Sequence, residues 1–274
     1  MTTGLALSPQ VFAILSALVE ERCGLHYALE DRELFAEKLS PRAVERGFDS
    51  LLDYYYFLRY DPESEAEFAL LVESLVVHET YFFREVAPLR VLADVFLPAL
   101  IAAGVRPRIW CAACSTGEEP LTMAMLLEAG GIADQVSLVA SDISERALRQ
   151  ARAGVYGRRS LRALPDGVMG RWLEPHGDGA RVSASVRDRV RWCRVNLVDA
   201  PSVAALGRFD FVLCRNVLIY FRDETIGAVV KNLKSALIPS GRLLVGTSES
   251  LLRFDCSLVC EEQSGVFFYR NDNK

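Results

Sequence analysis

From residue 108 to residue 245 the chain alternates short apolar runs with stretches of helical periodicity, and that alternation leaves few folds open to it. The runs Arg108 to Ala112, Val136 to Ala140, Val190 to Val195, Phe209 to Cys214 and Arg242 to Val245 read as strands. Helical stretches lie between most of them, at about 118–129, 144–153 and 223–237. Strands joined in this way run parallel, because a parallel pair needs a long crossover, and the helices then cover both faces of the sheet. The tail departs from the rhythm. Ser257 to Glu261 and Val266 to Tyr269 flank Glu262-Gln263-Ser264-Gly265, which predicts an antiparallel hairpin. Residues 155–188, rich in Arg and Gly, interrupt the alternation and read as an insertion. The expected fold class is therefore α/β, with a doubly wound, mostly parallel sheet that ends in an antiparallel hairpin.

Ahead of this region, from Ser8 to about Ser74, the pattern is helical throughout. Ser8-Pro9 is an N-cap followed by proline at the first helical position, and Phe12, Leu15, Leu18 and Val19 recur at helical spacing until Cys23-Gly24. A second helix is expected over 31–46, ending at Gly47. Ser50 can cap a third, and Asp61-Pro62 opens a fourth that carries Phe68, Leu71 and Leu75. Four short amphipathic helices without strands predict a small bundle. A chain of 274 residues sits near the ~250–300 residue limit of a single core, so a small domain beside a larger one is expected. The divisions are a helical domain over 1–76, a linker with a connecting helix over 77–104, and the α/β domain over 105–274 with its insertion at about 155–188.

Composition excludes some classes. With 51% hydrophobic and 24% charged residues the chain is globular and not disordered. A net charge of -5 argues against a general nucleic-acid binder, which needs an excess of Lys and Arg. The charge is segregated: residues 1–84 carry 7 basic and 15 acidic side chains, whereas 155–194 carry 9 Arg and 4 acids. The start, MTTGLALSPQ, has no cationic stretch followed by an apolar run, and no apolar run approaches ~18 residues. We therefore expect no secretion, no membrane insertion and a cytoplasmic location. Arg270 to Lys274 follows the last strand at once, so no appended domain is expected in this chain. Seven scattered cysteines fit reduced thiols. Cys111 and Cys114 form a C-x-x-C pair, yet no second pair accompanies them, so they read as a strand Cys and a loop Cys; no metal is expected.

The sharpest local signal is Ala112-Ala113-Cys114-Ser115-Thr116-Gly117-Glu118-Glu119-Pro120, between the first strand and its helix. Ligands of open α/β sheets bind beyond the carboxyl ends of the strands, and small residues let backbone approach them. The loop is neither G-x-G-x-x-G nor G-x-x-x-x-G-K-[ST], and Glu118 and Glu119 would repel phosphate. They suit a ligand with an ammonium or sulfonium centre, or else merely complement the helix dipole. The second strand ends in Ala140-Ser141-Asp142-Ile143-Ser144. Asp142 can accept both ribose hydroxyl protons and Ile143 can lie on a base; Ser144 is the better-placed helix cap.

HETYFFRE (78–85), ACSTGEEP (113–120), ASDIS (140–144), Asn196-Leu197 and FDFVLCRNVLIYF (209–221) together resemble the CheR-type family of S-adenosylmethionine-dependent methyltransferases, which esterify glutamate side chains of bacterial chemoreceptors. The likeness covers nearly the whole chain, and a hairpin-ended sheet suits methyltransferase-type, Rossmann-like folds better than dehydrogenases. It implies a seven-stranded sheet, S-adenosylmethionine as cofactor and S-adenosylhomocysteine as product. It also implies that Thr80, Arg84, Glu118, Asp142, Asn196, Leu197, Arg215 and Asn216 bind the cofactor, with Ala113 and Ile143 as neighbours by position. Arg84 and Tyr220 fall where the family arranges methyl transfer. His78 stands where the family often has Asn, so what carries over there is a backbone contact; the alternative is an ordinary, partly buried histidine.

A glutamate carboxylate, with a reference pKa of ~4.3, is ionised at neutral pH and needs no general base to attack a sulfonium methyl. The expected partner is the cytoplasmic domain of a chemoreceptor, met by a monomer, with no nucleic acid involved. The second helix is distinctly basic in well-known family members; here residues 31–46 balance four basic against four acidic side chains. The arginines of the insertion are thus expected to supply the electrostatic part of docking, unless they pair with acids such as Asp166 and Asp188. Rival readings are a methyltransferase acting on a small carboxylate and a non-catalytic cofactor-sensing or scaffold protein of the same fold.

Overall fold

The structure, a computed structural model, describes residues 5–254 and 256–272. Met1 to Gly4, the start of the segment read as lacking a leader, Asp255, and the closing Asn273 and Lys274 lie outside the described residues. The chain divides into two compact units, Met1–Val77 with Tyr220–Thr225, and His78–Ile219 with Ile226–Lys274. No helix among the described residues is long and apolar enough to cross a membrane.

The first unit holds helices α1 Pro9–Cys23, α2 Arg32–Glu45, α3 Leu51–Tyr60 and α4 Ser64–Leu75. The Ser8 hydroxyl accepts the N–H of Val11, and Gly24 ends α1 at φ 82°, a conformation that costs glycine little. Ser50 caps α3 by accepting from the N–H groups of Leu52 and Asp53. Asp61-Pro62 forms a turn that precedes α4, in which the N–H of Ser64 donates to the Asp61 carbonyl at 3.1 Å. Leu15, Val19, Phe35, Leu39 and Leu71 fill the core. One charge is buried with them: Glu67 accepts from the Tyr54 hydroxyl at 2.7 Å and from two nitrogens of Arg42 at 2.6 and 3.1 Å, which compensates its desolvation.

In the second unit α5 Val86–Val91 and α6 Leu97–Ala102 are joined by a π-helical segment, Leu92–Phe96, where the Leu97 N–H donates to the Leu92 carbonyl. Pro98 lacks the N–H that would continue an α-helical ladder there. The strands are β1 Arg108–Ala112, β2 Ser137–Asp142, β3 Val155–Tyr156, β4 Leu173–His176, β5 Gly179–Val182, β6 Val190–Arg194, β7 Phe209–Cys214, β8 Leu237–Val245, β9 Leu258–Gln263 and β10 Val266–Asn271. The seven-stranded sheet has the order β6-β2-β1-β7-β8-β10-β9, with its first five strands parallel and β10 inserted antiparallel between β8 and β9. Helices α7 Glu118–Ala129, α8 Glu145–Ala153, α9 Ala184–Arg187, α10 Ala200–Ala204 and α11 Asp223–Ser235 complete the connections.

Three local outcomes differ from the sequence reading. The strand expected at Arg242 begins at Leu237, because Pro239-Ser240-Gly241 is absorbed by a bulge opposite Phe209 to Phe211 instead of ending the pairing. The terminal hairpin turns on two residues only, Ser264 at φ 54° and Gly265 at φ 78°, a pair whose twist matches that of the strands. The insertion folds into a three-stranded antiparallel sheet of order β3-β5-β4, whose strands of 2 to 4 residues are too short to show a period.

Candidate functional site

Strand order reverses at β1, which has β2 on one side and β7 on the other. This is the switch point of an open α/β sheet, and the loops leaving β1, β2 and β7 meet there. The β1 loop takes a sharply bent course, with Ala113 at φ 53°, Ser115 at φ 51° and Gly117 at φ 94°. Two non-glycine residues in the left-handed region store strain, a trait of ligand-binding loops. At Gly117 a Cβ would come within 2.6 Å of the Ala151 Cβ and 2.8 Å of the Trp192 ring, so the loop packs against α8 and β6 only with glycine there.

Asp142 ends β2 and is 7% exposed. Its Oδ2 accepts the Ser115 N–H at 2.7 Å and its Oδ1 accepts the Ser144 N–H at 2.9 Å, while the Ser144 hydroxyl caps α8. The carboxylate thus ties two loops together. Ile143 follows, half-buried, its carbonyl accepting from Arg194 at 3.1 Å. The Val195 N–H donates to the Asp142 carbonyl at 3.0 Å, which brings the Asn196-Leu197 segment alongside. Leu197 is buried, and Asn196 turns its Oδ1 to the Val198 N–H at 3.3 Å.

Glu118 begins α7 and is 1% exposed. Burial pushes its carboxyl above the usual carboxylate range, against the hydroxyls of Thr116 and Ser160, which donate to it at 2.7 Å each, and the charge of Arg162. A cavity of about 240 Å³ opens beside it, lined by His78, Thr80, Thr116, Glu118, Arg146, Arg159 and Ser160 among others. The segment bearing His78 and Thr80 is held in place by several bonds. His78 Nδ1 lies 3.3 Å from the Ser115 hydroxyl, the Phe82 N–H donates to the Ser160 carbonyl at 3.0 Å, and the Phe83 N–H donates to the Thr122 hydroxyl at 3.1 Å.

Arg84 donates from Nη1 to the Glu79 carbonyl at 2.7 Å. Arg215 behaves differently: its side chain is 3% exposed and lies between Glu119 at 2.6 Å and Glu85 at 3.0 Å, with a further bond to the Glu85 carbonyl at 3.2 Å. Burial opposes the charge of Glu85, yet the adjoining Arg215 guanidinium holds its carboxyl below the ordinary value. The Arg215 side chain thus fixes the Arg84-Glu85 segment. Glu119, expected to face a cationic ligand together with Glu118, is instead the ion partner of Arg215. Asn216 takes φ 58° and its N–H donates to Glu249 at 2.6 Å. Tyr220 closes the 3-10 helix Leu218–Tyr220 and groups with the helical unit, where its carbonyl accepts the His26 N–H at 2.9 Å.

Ser160, Glu79 and Glu249 were not legible as site residues. Each acts on a segment far from it in sequence, and no local pattern marks it. The insertion's arginines are also placed differently from expectation. Arg159 and Arg162 both pair with Glu79, and not with Asp166 or Asp188, and Arg162 lies over the Tyr81 ring at 3.8 Å. Cys111 and Cys114 are buried, which pushes both thiols well up.

Comparison with known proteins follows the same division of the chain. Residues 10–76 match the family described as CheR methyltransferase, all-alpha domain, and residues 78–264 match CheR methyltransferase, SAM binding domain. A chemotaxis protein methyltransferase of Vibrio parahaemolyticus is 37% identical over 257 residues, covering 91% of this chain and 92% of that protein. Chemotaxis protein methyltransferase 1 of Pseudomonas aeruginosa is 33% identical over 88% of this chain and 90% of its own, and its Vibrio cholerae namesake is 35% identical over 91% and 92%.

Proposed function

The chain belongs to the CheR methyltransferase family, and from that premise we propose how its residues divide the work of an S-adenosylmethionine-dependent protein-glutamate O-methyltransferase acting on chemoreceptors. The donor set fits this cofactor. Two carboxylates, Glu118 and Asp142, stand at the carboxyl edge of the sheet with strained, small-residue backbone between them, which suits a cation and a ribose diol and would repel a phosphate chain. Glu118 takes the ammonium end together with Thr80; a buried carboxyl with a raised pKa gains most from a cationic partner. Asp142 takes the ribose hydroxyls at the end of β2, and Ala113, Ile143, Asn196, Leu197 and the backbone of Arg215 and Asn216 enclose the nucleoside. His78 contributes through backbone beside Ser115.

S-adenosylmethionine, when bound, supplies an electrophilic methyl group on a sulfonium. The substrate glutamate arrives already ionised, so the protein's task is orientation and exclusion of water, because both charges diminish toward the transition state. Arg84 orients a carboxylate through parallel hydrogen bonds, its own backbone being fixed by Arg215. Tyr220 offers its hydroxyl at the methyl. The partner is the cytoplasmic part of a chemoreceptor, approached by one copy of the enzyme in the cytoplasm.

The observation that carries this reading is the meeting of Glu118, Asp142 and the His78 to Arg84 segment at the switch point. Incubation with methyl-labelled cofactor and a receptor cytoplasmic domain tests it. The expected result is protein-bound label released as methanol in mild alkali. Labelling of small acids alone, or binding of S-adenosylhomocysteine without any transfer, would replace it with one of the rival readings.

A further inference from the structure

Glu249 lies in the turn after β8 and is 6% exposed, with no place in the reaction described above. Four backbone N–H groups converge on its carboxylate. Oε2 accepts from Gly246 at 2.7 Å and Asn216 at 2.6 Å, and Oε1 accepts from Leu218 at 2.7 Å and Ile219 at 3.4 Å. Three of these donors belong to the loop after β7, 31 to 33 residues away in the case of Leu218 and Asn216. The loop needs such an acceptor. Asn216 sits in the left-handed region, and the N-terminal N–H groups of the 3-10 helix Leu218–Tyr220 have no partner within the helix. Gly246 completes the arrangement, since a Cβ there would come within 2.6 Å of Glu249 Oε2 and 2.8 Å of Asn216 Nδ2.

We propose that Glu249 is a positioning residue for methyl transfer: its carboxylate fixes the backbone of residues 216–219, and so sets Asn216 for the cofactor and launches the short helix that ends in Tyr220. The inference rests on the roles given above to Asn216 and Tyr220. Charge-assisted bonds from backbone donors are strong and directional, and one rigid anion shared by both ends of the loop couples the two residues. Glu249→Gln keeps the shape but turns an amide NH2 toward two of the donors.

The test measures S-adenosylhomocysteine affinity by calorimetry, receptor methylation kinetics and thermal midpoint. Glu249→Gln is expected to fold, to lose affinity at least tenfold and to lower kcat. Gly246→Ala, which displaces the carboxylate without removing it, should do the same and reads the proposal if Glu249→Gln does not fold. The pair Tyr220→Phe and Glu249→Gln should lose less kcat together than the product of the single losses, because both act on one placement. Glu67→Gln, a buried carboxylate of the helical unit, should lower the thermal midpoint and leave affinity unchanged. The proposal is overturned if either loop variant is folded with wild-type affinity and kcat, if the losses simply multiply, or if Glu67→Gln weakens binding as much. Wild-type behaviour of Asn216→Ala and Tyr220→Phe would instead refute the roles on which it rests.

Discussion

The N–H of Ser115 donates to the carboxylate of Asp142 at 2.7 Å, joining the strained β1 loop to the end of β2. The acid expected to hold a ribose is thus also the fastener of the loop that receives it. Asp142→Ala removes a charge-assisted interaction worth about 1.5–3 kcal/mol and leaves two backbone donors without it, so S-adenosylhomocysteine affinity should fall at least tenfold. Asp142→Asn, which keeps an acceptor for one loop, should lose affinity with a smaller drop in the thermal midpoint of the free protein. Calorimetry and thermal melts on both variants check this, and unchanged binding in a folded Asp142→Ala would remove the ribose role.

Glu118 predicts a trade between stability and binding. Its folded pKa is raised, so above that pKa the ligand-free protein carries an unfavourable buried charge, and this handicap fades as pH falls toward the unfolded value of ~4.3. Glu118→Gln should therefore melt higher than wild type at pH 8, converge with it in acid, and bind S-adenosylhomocysteine at least tenfold more weakly. A lower melting point at pH 8 would contradict the electrostatic account.

Arg215 should matter to stability first. Removing it leaves Glu119 and Glu85 facing one another in a nearly closed site, and breaking such a buried pair costs about 3–5 kcal/mol. The depressed pKa of Glu85 means that its share of stability is present above ~4.3 and is lost as pH falls through the folded value. Denaturant titration of Arg215→Met should show the loss at pH 7 and a smaller one at pH 3.

Arg84 is half-buried, and its side chain donates to the Glu79 carbonyl, outside the bonds that join Arg215 to Glu85 and Glu119. Arg84→Ala should keep the wild-type thermal midpoint and lose roughly 100-fold or more in the rate of alkali-labile methylation, because misplacement of a reacting carboxylate has effects of that size. Full methanol release from this variant would exclude it from the mechanism.

The insertion's arginines divide into two groups. Arg159 and Arg162 hold Glu79, next to Thr80 at the cavity, so reversing them to Glu should weaken cofactor binding. Arg158 and Arg171 are exposed: Arg158 donates to the Asp178 carbonyl at 3.4 Å, and Arg171 lies over the Trp172 ring at 4.2 Å. Reversing these two should lower kcat/KM for receptor, flatten its salt dependence and spare cofactor affinity. Identical salt profiles for this variant and wild type would place docking elsewhere.

Periodicity and caps in the sequence determined the four N-terminal helices, the alternation that makes a parallel sheet, the hairpin at its edge and the loop that had to hold a ligand. These are local properties: Ser8 and Gly24 bound α1 whatever else the chain does, and a strand that is apolar along its length can only be buried. The tertiary structure alone decided which charges meet. Arg215 finds Glu85 across 130 positions, Arg162 finds Glu79 across 83, and Glu249 gathers the loop of Asn216 across 33. Such pairs leave no period, because a single buried carboxylate satisfies donors brought to it by the crossing of strands and not by their spacing along the chain. The insertion's small sheet belongs with them, since strands of 2 to 4 residues form only once partners are already in register.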